Sequence, residues 1–195
     1  MSPGDPTIRL EDAEGPEALD HARRLFRSYA AEFADSIAET LCFQGFDAEV
    51  VGLPGRYAPP SGCLLLAMEG DIPAGCVALR DLGDGTCEMK RLYVAFSHRG
   101  RGVGRLLVGE VIRRGERLGY RRMVLDTMPE MAGALSLYRE YGFVETTPYW
   151  AHPAERAVFM ERRLANWGSR IEGGSSDGDK SRGSRPGRHS SDSIT

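Results

Sequence analysis

A glycine-rich segment with three arginines carries the clearest chemical signal in the sequence. Residues 97–107 read SHRGRGVGRLL and lead directly into an apolar pattern with helical spacing. A glycine turn at the start of a helix exposes backbone N–H groups that have no intrahelical acceptor, and the helix dipole adds positive potential there. Arg99, Arg101 and Arg105 can add charge-assisted contacts. The segment therefore predicts a binding site for a phosphate or a pyrophosphate.

Two alternatives to this site stay open, and a third fails. The segment can be a plain helix cap in an arginine-rich surface loop. A P-loop fails because the sequence contains no GxxxxGK[ST] string. A dinucleotide site requires GxGxxG, but here the third glycine comes one residue early, at Gly104. Asp126, 24 residues after Gly102, has the spacing of a ribose-binding acid, whereas the three antiparallel strands predicted before the segment disfavour a dinucleotide fold.

The elements around the segment follow a mixed order rather than a regular alternation of strand and helix. Apolar spacings and turn residues predict a three-strand meander before the segment and one strand after its helix. The predicted strands are 7–10, 63–68, 74–80, 86–94, 122–127, 143–146 and 156–164, and the predicted helices are 18–33, 36–53, 102–118 and 131–141. This order predicts the α/β (α+β) class.

The strand at 86–94, directly before the segment, carries several ionisable residues. Simple alternation puts Glu88, Lys90, Leu92 and Val94 on one face and Met89, Arg91, Tyr93 and Ala95 on the other. Glu88 can serve as a base, or it can form a surface ion pair with Lys90 or Arg91.

Composition and net charge limit the kinds of binding partner and the cellular compartment that we expect for this chain. The chain has 195 residues and a formal net charge of −3, which gives no overall attraction to nucleic acid or to a membrane. The longest apolar run, at 63–68, is too short to span a membrane. Because no basic segment followed by an apolar one opens the chain, we expect a cytoplasmic protein without a signal peptide.

A change in composition divides the chain into a domain and a tail. Residues 168–195 contain Gly, Ser and mixed charges without an aromatic residue, which predicts a disordered tail after a single domain at 1–167. The four cysteines, at positions 42, 63, 76 and 87, lack C-x-x-C spacing and are predicted to be buried free thiols. The histidines have no metal-like spacing, so no metal site is predicted.

Two separate motifs resemble those of the GNAT superfamily of N-acyltransferases. R-G-R-G-V-G at 99–104 matches the family pattern Q/R-x-x-G-x-G/A, and ALSLYREYGF at 134–143 is similar to A-x-x-L-Y-x-x-x-G-F. One predicted strand separates the two motifs, as in the family. The resemblance extends from Thr7 to Leu164, and LDTMPEM at 125–131 resembles one uncharacterised bacterial branch.

The resemblance implies a fold and a co-substrate. The fold is a GNAT-like, mainly antiparallel central sheet of about 6–7 strands, flanked by about 4 helices, in which the strands 86–94 and 122–127 splay apart. The co-substrate is acetyl-coenzyme A, with its pyrophosphate on the glycine loop and its pantetheine arm between the splayed strands. The implied binding residues are Leu92, Tyr93, Val94, Arg99, Gly100, Arg101, Gly102, Val103, Gly104 and Arg105.

The resemblance also implies two catalytic residues. The family often places a glutamate early in the strand before the loop, so Glu88 is the predicted base, with Asp126 and Glu130 as lesser candidates. Tyr138 lies in the second motif and is the predicted acid that protonates the departing thiolate, the alternative being a core aromatic. A backbone N–H of the splayed strand, near Leu92–Tyr93, is the simplest donor to the oxyanion of the intermediate.

The acceptor side of the site is less well defined by the sequence. Many family members carry an asparagine where this chain has Met131, so a side-chain amide contact is absent at that position. His98 is expected to flank the phosphate loop rather than to do chemistry. Residues that can line an acceptor pocket, or simply pack, are Tyr29, Tyr57, Tyr149, Trp150 and His152.

Taken with the resemblance, these residues imply acetyl transfer to a primary amine of a small molecule or peptide, by direct attack in a ternary complex. The mild acidity of the domain favours a cationic amine. One alternative is a coenzyme A-binding regulatory module without catalysis, and a less favoured one is a dinucleotide-binding protein. No nucleic acid or membrane partner is expected, and homodimers are common for such folds.

Overall fold

A mixed sheet forms the centre of the fold. The computed structural model describes residues 7–34 and 45–165. Its strands are β1 (Ile8–Asp12), β2 (Cys63–Glu69), β3 (Ile72–Gly83), β4 (Thr86–Val94), β5 (Arg122–Thr127), β6 (Val144–Glu145) and β7 (Val158–Arg163). Its helices are α1 (Gly15–Glu32), α2 (Phe46–Val51), α3 (Val103–Arg117) and α4 (Ala132–Glu140), with short 3₁₀ turns at Gly55–Tyr57 and Phe96–His98.

The sheet has the strand order β1-β2-β3-β4-β5-β7-β6. Neighbouring strands run antiparallel except for β4 and β5, which run parallel and are connected through α3. A parallel pair needs such a crossover, whereas tight turns suffice for the meander β2-β3-β4. The predicted mixed, mainly antiparallel sheet with flanking helices is therefore confirmed.

Helices cover both faces of the sheet, and each face has its own apolar core. One core lies under α1 and α2 and includes Ala22, Leu25, Phe26, Phe46, Leu64, Leu66 and Met68. The other lies under α3 and α4 and includes Leu65, Ala67, Val103, Leu107, Val111, Met123 and Leu125. Because β2 is buried on both sides, its sequence is a continuous apolar run rather than an alternating one.

The parallel strands β4 and β5 separate soon after they begin. Their pairing ends at Glu88 and Val124, and it does not resume within the described part of the chain. β5 stays paired with β7 as far as Thr127, and β4 stays paired with β3 as far as Val94. The sheet therefore opens between the C-terminal halves of β4 and β5, as the resemblance implied.

A β-bulge in β4 makes the simple alternation predicted for this strand wrong. Arg91 has a φ of 57°, and the register of β4 against β3 shifts between Cys76 and Ala78. Lys90 lies opposite Ala78, which belongs to the core under α1. Arg91 lies on the same side, because its guanidinium contacts the ring of Phe46 in α2.

The bulge reverses the faces of the residues that follow it. Leu92 and Val94 pack with Met89 in the core under α3, whereas Tyr93 packs in the core under α1. Alternation had grouped Leu92 and Val94 with Glu88 instead. The extra residue of a bulge shifts every later side chain to the other face, which a period of two cannot anticipate.

The other predicted helices and strands differ from the structure mainly in the residues at which they begin and end. α3 and α4 begin and end within one residue of the predicted helices 102–118 and 131–141. The helix predicted at 36–53 is described only from residue 45 onwards, where α2 is short. Residues 35–44 lie outside the described part, as do Cys42 and the predicted tail.

The described cysteines, Cys63, Cys76 and Cys87, are buried and free, as predicted. Burial raises the pKa of the Cys63 and Cys76 thiols to about 12. In the described ranges, no helix is both long enough and apolar enough to cross a membrane.

Candidate active site

A cleft of ≈ 660 Å³ opens where β4 and β5 diverge. The second half of β4 forms one wall, and the end of β5 with the start of α4 forms the other. The start of α3 and residues of α1 complete it. The residues that line the cleft include Tyr29, Lys90, Arg91, Leu92, Tyr93, Val94, His98, Arg99, Gly100, Gly102, Val103, Gly104, Arg105, Asp126, Glu130, Met131, Tyr138 and His152.

The glycine loop presents backbone donors to this cleft. Gly100 and Gly102 have φ of 73° and 80°, in the left-handed region that favours glycine. Gly102 caps α3, and its carbonyl accepts the N–H of Leu106 at 3.1 Å. The N–H groups of Val103, Gly104 and Arg105 precede that first bond and therefore have no intrahelical acceptor. These donors are compatible with the predicted phosphate site, which stays a prediction.

Each arginine of the loop forms an ion pair with a glutamate from another element. Arg99 lies 2.6 Å from Glu32 in α1, and Arg105 pairs with Glu140 at the end of α4. Arg101 pairs with Glu69 at the end of β2, and unlike the other two arginines it does not line the cleft. An anion in the cleft would therefore share Arg99 and Arg105 with carboxylates.

His98 lies beneath the loop rather than at a reacting centre. Its side chain is buried, with Nε2 3.1 Å from a carboxylate oxygen of Glu69 and Nδ1 2.9 Å from the Ser97 hydroxyl. These contacts connect the loop to the end of β2, next to the Arg101–Glu69 pair. The position agrees with the expectation that His98 flanks the loop.

Leu92, Tyr93 and Val94 line the middle of the cleft, where sequence reasoning expected them. Because β5 has already diverged, none of the described strands pairs with β4 on this side of their backbone. The Tyr93 hydroxyl donates to Glu32 at 3.0 Å, which connects β4 to α1. A ligand in the cleft can therefore approach the backbone of β4 on this side.

Tyr138, on α4, borders the same cleft. Its ring is 7% exposed and packs edge-on against Phe143, with ring centroids 5.9 Å apart. Burial, together with the nearby Tyr29 and the charge of Asp126, raises the pKa of the Tyr138 phenol well above its usual value. The hydroxyl therefore keeps its proton at neutral pH and can act as a donor.

Tyr141, one helical turn further, has a different role. It does not line the cleft, and its hydroxyl donates to the backbone carbonyl of Arg105 at 2.8 Å. Its ring packs near Gly109 in α3. Tyr141 therefore connects the end of α4 to α3.

Buried charges gather on the α1 side of the sheet, beside the cleft. Lys90 Nζ lies 2.9 Å from Asp126 Oδ1 and 3.7 Å from Glu88 Oε1. His152 Nε2 lies 3.5 Å from Asp126 Oδ2. Burial alone would raise the pKa of Asp126, but Lys90 and His152 outweigh it and hold the pKa well below its usual range. Asp126 is therefore a carboxylate at neutral pH, and it borders the cleft.

Glu88, the predicted base, is fully buried and does not line the cleft. One oxygen pairs with Arg80 across the hairpin, and the other accepts the Tyr149 hydroxyl at 2.7 Å. The Tyr149 hydroxyl also lies 3.3 Å from Asp126. Direct contact between Glu88 and an acceptor would require these bonds to break.

The remaining sequence candidates divide between the cleft and the core. Tyr29, Glu130 and His152 line the cleft, whereas Tyr57, Tyr149 and Trp150 do not. Met131 lines it at the position where an asparagine is common, and its sulfur accepts the Thr127 hydroxyl at 3.5 Å. Its thioether offers no amide donor to a ligand.

Sequence reasoning missed the Lys90–Asp126 pair and the role of Glu49. Lys90 and Asp126 lie on the two predicted splayed strands, so their charges and positions were an available signal. Glu49, in the short helix α2, binds Arg91 from 42 residues away, and no local pattern connects them.

Comparison with known proteins gives a consistent result. The family model described as Acetyltransferase (GNAT) family matches residues 18–143. An uncharacterized N-acetyltransferase of Schizosaccharomyces pombe is 40% identical over 160 residues, which cover 81% of this chain and 96% of that protein.

Solved structures agree with the fold. An acetyltransferase of the GNAT family from Staphylococcus aureus gives a TM-score of 0.69 at 18% identity, covering 82% of this chain and 100% of that chain. The PaiA N-acetyltransferase of Thermoplasma acidophilum, in complex with coenzyme A, gives a TM-score of 0.63 at 17% identity, covering 81% and 99%.

Proposed function

The chain belongs to the GNAT family of acetyltransferases, and we propose that it transfers the acetyl group of acetyl-coenzyme A to a primary amine. The acceptor is a small molecule or a peptide, and its amine attacks the thioester while both substrates are bound. The observation that carries the proposal is one cleft that contains the donors of the glycine loop, the open edge of β4 and the Asp126 carboxylate. The coenzyme A complex of the PaiA structure supports the choice of co-substrate.

The diphosphate of coenzyme A would bind the start of α3. The N–H groups of Val103, Gly104 and Arg105 supply donors there, and the helix dipole adds to them. Arg99 and Arg105 border the same space. Because both are paired with glutamates, the diphosphate must compete with Glu32 and Glu140, so we expect coenzyme A binding to weaken as salt is added.

The thioester would lie in the gap between β4 and β5. Its carbonyl oxygen gains negative charge during attack, and a backbone N–H near Leu92 or Tyr93 is the donor we assign to it. The amine nitrogen forms the new C–N bond, and the C–S bond then breaks with its electron pair leaving on sulfur. The nitrogen is positively charged after the attack and loses its extra proton to solvent, so the products are a neutral amide and a thiolate. The protonated hydroxyl of Tyr138 is assigned to donate to the departing thiolate.

The acceptor amine would enter beside Asp126. The Asp126 carboxylate is the acidic group we assign to the acceptor side, and a cationic ammonium would share it with Lys90 and His152, which already contact it. The ammonium must then lose a proton before it can attack. Glu88 remains the predicted base, and Tyr149, which contacts both Glu88 and Asp126, offers an indirect route to it.

A non-catalytic coenzyme A-binding module is the alternative of a different class, and a dinucleotide-binding protein is the less favoured one. Thermal unfolding of the full chain distinguishes acetyl-coenzyme A from a dinucleotide as the ligand. Acetyl-coenzyme A at about a hundred times its Kd should stabilise the fold by roughly 2.7 kcal/mol, and NADH should give no shift. Equal stabilisation by NADH would favour the dinucleotide alternative instead.

Release of free thiol from acetyl-coenzyme A, followed with a panel of cationic and neutral amines, separates catalysis from simple binding. We further propose that residues 1–167 act as one domain, so truncation after Trp167 should leave the Kd for acetyl-coenzyme A unchanged. A truncated protein that fails to bind would assign a role to residues 168–195.

A further inference from the structure

Arg91 adopts a backbone conformation that is unusual for a residue with a side chain, and it does so inside a strand. Its φ is 57°, and the other described non-glycine residue with positive φ, Asp84, lies in the turn between β3 and β4. The left-handed region brings Cβ too close to the following carbonyl oxygen. Such a conformation persists in a folded protein when its surroundings hold it.

Two elements outside the sheet supply contacts that can hold it. Glu49 in α2 accepts Arg91 Nε at 2.8 Å and a terminal guanidinium nitrogen at 2.7 Å, which is a bidentate ion pair. The Tyr57 hydroxyl donates to Glu49 at 2.8 Å, and the Phe46 ring lies 5.2 Å from the guanidinium. Both charged side chains are at most 9% exposed. We call the pair Glu49–Arg91 the bulge clamp.

The bulge clamp acts on the part of β4 that faces the cleft. The register shift at Arg91 turns Leu92 and Val94 towards the α3 side and Tyr93 towards the α1 side. It therefore also sets the direction of the peptide groups between these residues. In the proposed reaction, one of these peptide N–H groups binds the thioester oxygen.

Stability alone does not explain a buried ion pair at this position. Removing two charges from water costs free energy, and apolar residues of similar size often stabilise a fold equally well. A bidentate pair does, however, fix the orientation of the guanidinium, and through it the residue that carries it.

We propose that Glu49 is a positioning residue for acetyl transfer, because through Arg91 it holds the bulge that aims a β4 peptide N–H at the thioester. This inference rests on the proposed function. It does not require Glu49 to touch either substrate, and Glu49 does not line the cleft.

A matched pair of double variants tests the bulge clamp. One variant, the glycine pair, combines Glu49→Ala with Arg91→Gly, and the other, the alanine pair, combines Glu49→Ala with Arg91→Ala. Each variant removes the ion pair and both buried charges. Only glycine accepts the left-handed conformation without cost. The alanine pair should therefore have a lower kcat than the glycine pair by roughly 5- to 30-fold, which corresponds to the about 1–2 kcal/mol that this conformation costs a residue with a Cβ.

A spectroscopic measurement makes the test independent of the amine. The infrared carbonyl band of bound acetyl-coenzyme A, labelled with ¹³C at the acetyl carbonyl, reports hydrogen bonding to that oxygen. The band should be shifted to lower frequency in the wild-type protein and the glycine pair, and should return towards its solution value in the alanine pair. Equal kcat and equal bands in the two pairs would overturn the proposal.

Loss of folding and failure of the proposed function give different results. If the alanine pair does not fold, Glu49→Gln alone is compared with Glu49→Gln plus Arg91→Gly. The single variant should then have the lower kcat, and its carbonyl band should lie nearer the solution value. If wild-type protein binds no acetyl-coenzyme A, the proposed function fails. If it binds with a carbonyl band at the solution value, the bulge donor is absent and the clamp proposal fails.

Discussion

Replacing Tyr138 with phenylalanine tests the proposed acid with little change to the fold. The hydroxyl belongs to a ring that borders the cleft and packs against Phe143. Phenylalanine keeps that ring, so the melting temperature should change little. The glycine loop, which supplies the main phosphate contacts in this account, is untouched, so the Kd for acetyl-coenzyme A should be nearly unchanged.

The size of the catalytic effect follows from the environment of the hydroxyl. The pKa of Tyr138 is raised well above its ordinary value of about 10, whereas a thiol titrates at about 8.5. Complete proton transfer to the thiolate is therefore uphill, since each pKa unit costs about 1.4 kcal/mol. A hydrogen bond to the developing charge, worth about 1.5–3 kcal/mol, is the larger contribution we expect. Tyr138→Phe should lower kcat by roughly 10- to 150-fold.

Tyr141→Phe is the matched control. It removes a hydroxyl from the residue directly after α4, but that hydroxyl donates to the carbonyl of Arg105, and Tyr141 does not line the cleft. Its loss should cost about 1 kcal/mol of stability and leave kcat unchanged. Both variants would be assayed by thiol release at saturating acetyl-coenzyme A, with single-turnover data to establish that chemistry limits the rate. Wild-type turnover by Tyr138→Phe under those conditions would refute the assignment, and so would an equal loss in Tyr141→Phe.

Four further predictions test other parts of the site. Gly102→Val should raise the Kd for acetyl-coenzyme A, measured by calorimetry, because valine is strained at a φ of 80° and the turn must change; an unchanged Kd would argue against the loop as the anion site. Glu88→Gln should lower kcat and leave the Kd for acetyl-coenzyme A unchanged. A normal pH–rate profile for this variant, together with an altered profile for His152→Gln, would identify His152 rather than Glu88 as the base that accepts the proton of the ammonium. Asp126 has a lowered pKa in the folded protein, so its contribution to stability is present above the unfolded pKa of about 3.9 and is lost progressively as the pH falls below that value. Urea unfolding between about pH 5 and pH 2 should therefore show a smaller loss of stability in Asp126→Asn than in the wild-type protein. Cys63 should resist thiol reagents at neutral pH until the protein unfolds, since it is buried and its pKa is raised to about 12, and rapid labelling of the folded protein would contradict its burial.

The parts of the fold that depend on local sequence were predictable. β4 and β5 occupy the predicted ranges 86–94 and 122–127, because β-branched, aromatic and other apolar residues are bounded there by clear turn signals. The glycine loop was also predictable, because left-handed turns and helix starts have strong residue preferences. Two short motifs on either side of β5 then indicated the family and with it the opening between β4 and β5.

The parts that depend on distant contacts were not predictable from the sequence. The bulge at Arg91 is held by Glu49, which is far away in the chain, so alternation gave the wrong faces for Leu92 and Val94. Glu88 had the residue type and position of a base, but its burial depends on Arg80 and on a tyrosine that follows α4. Ion pairs of the loop arginines likewise join elements far apart in the chain. Spacing within one segment contains no information about such partners.

A single-turnover experiment with ¹⁴C-acetyl-coenzyme A tests whether the acetyl group passes directly to an amine while both substrates are bound in the cleft. The full chain, in excess over the labelled co-substrate, is incubated first without and then with a panel of cationic primary amines. Direct transfer predicts neither thiol release nor labelled protein in the first step. In the second, it predicts thiol release equal to the labelled N-acetyl amine formed. Tight binding without transfer to any amine, or a label that first appears on the protein, would contradict it.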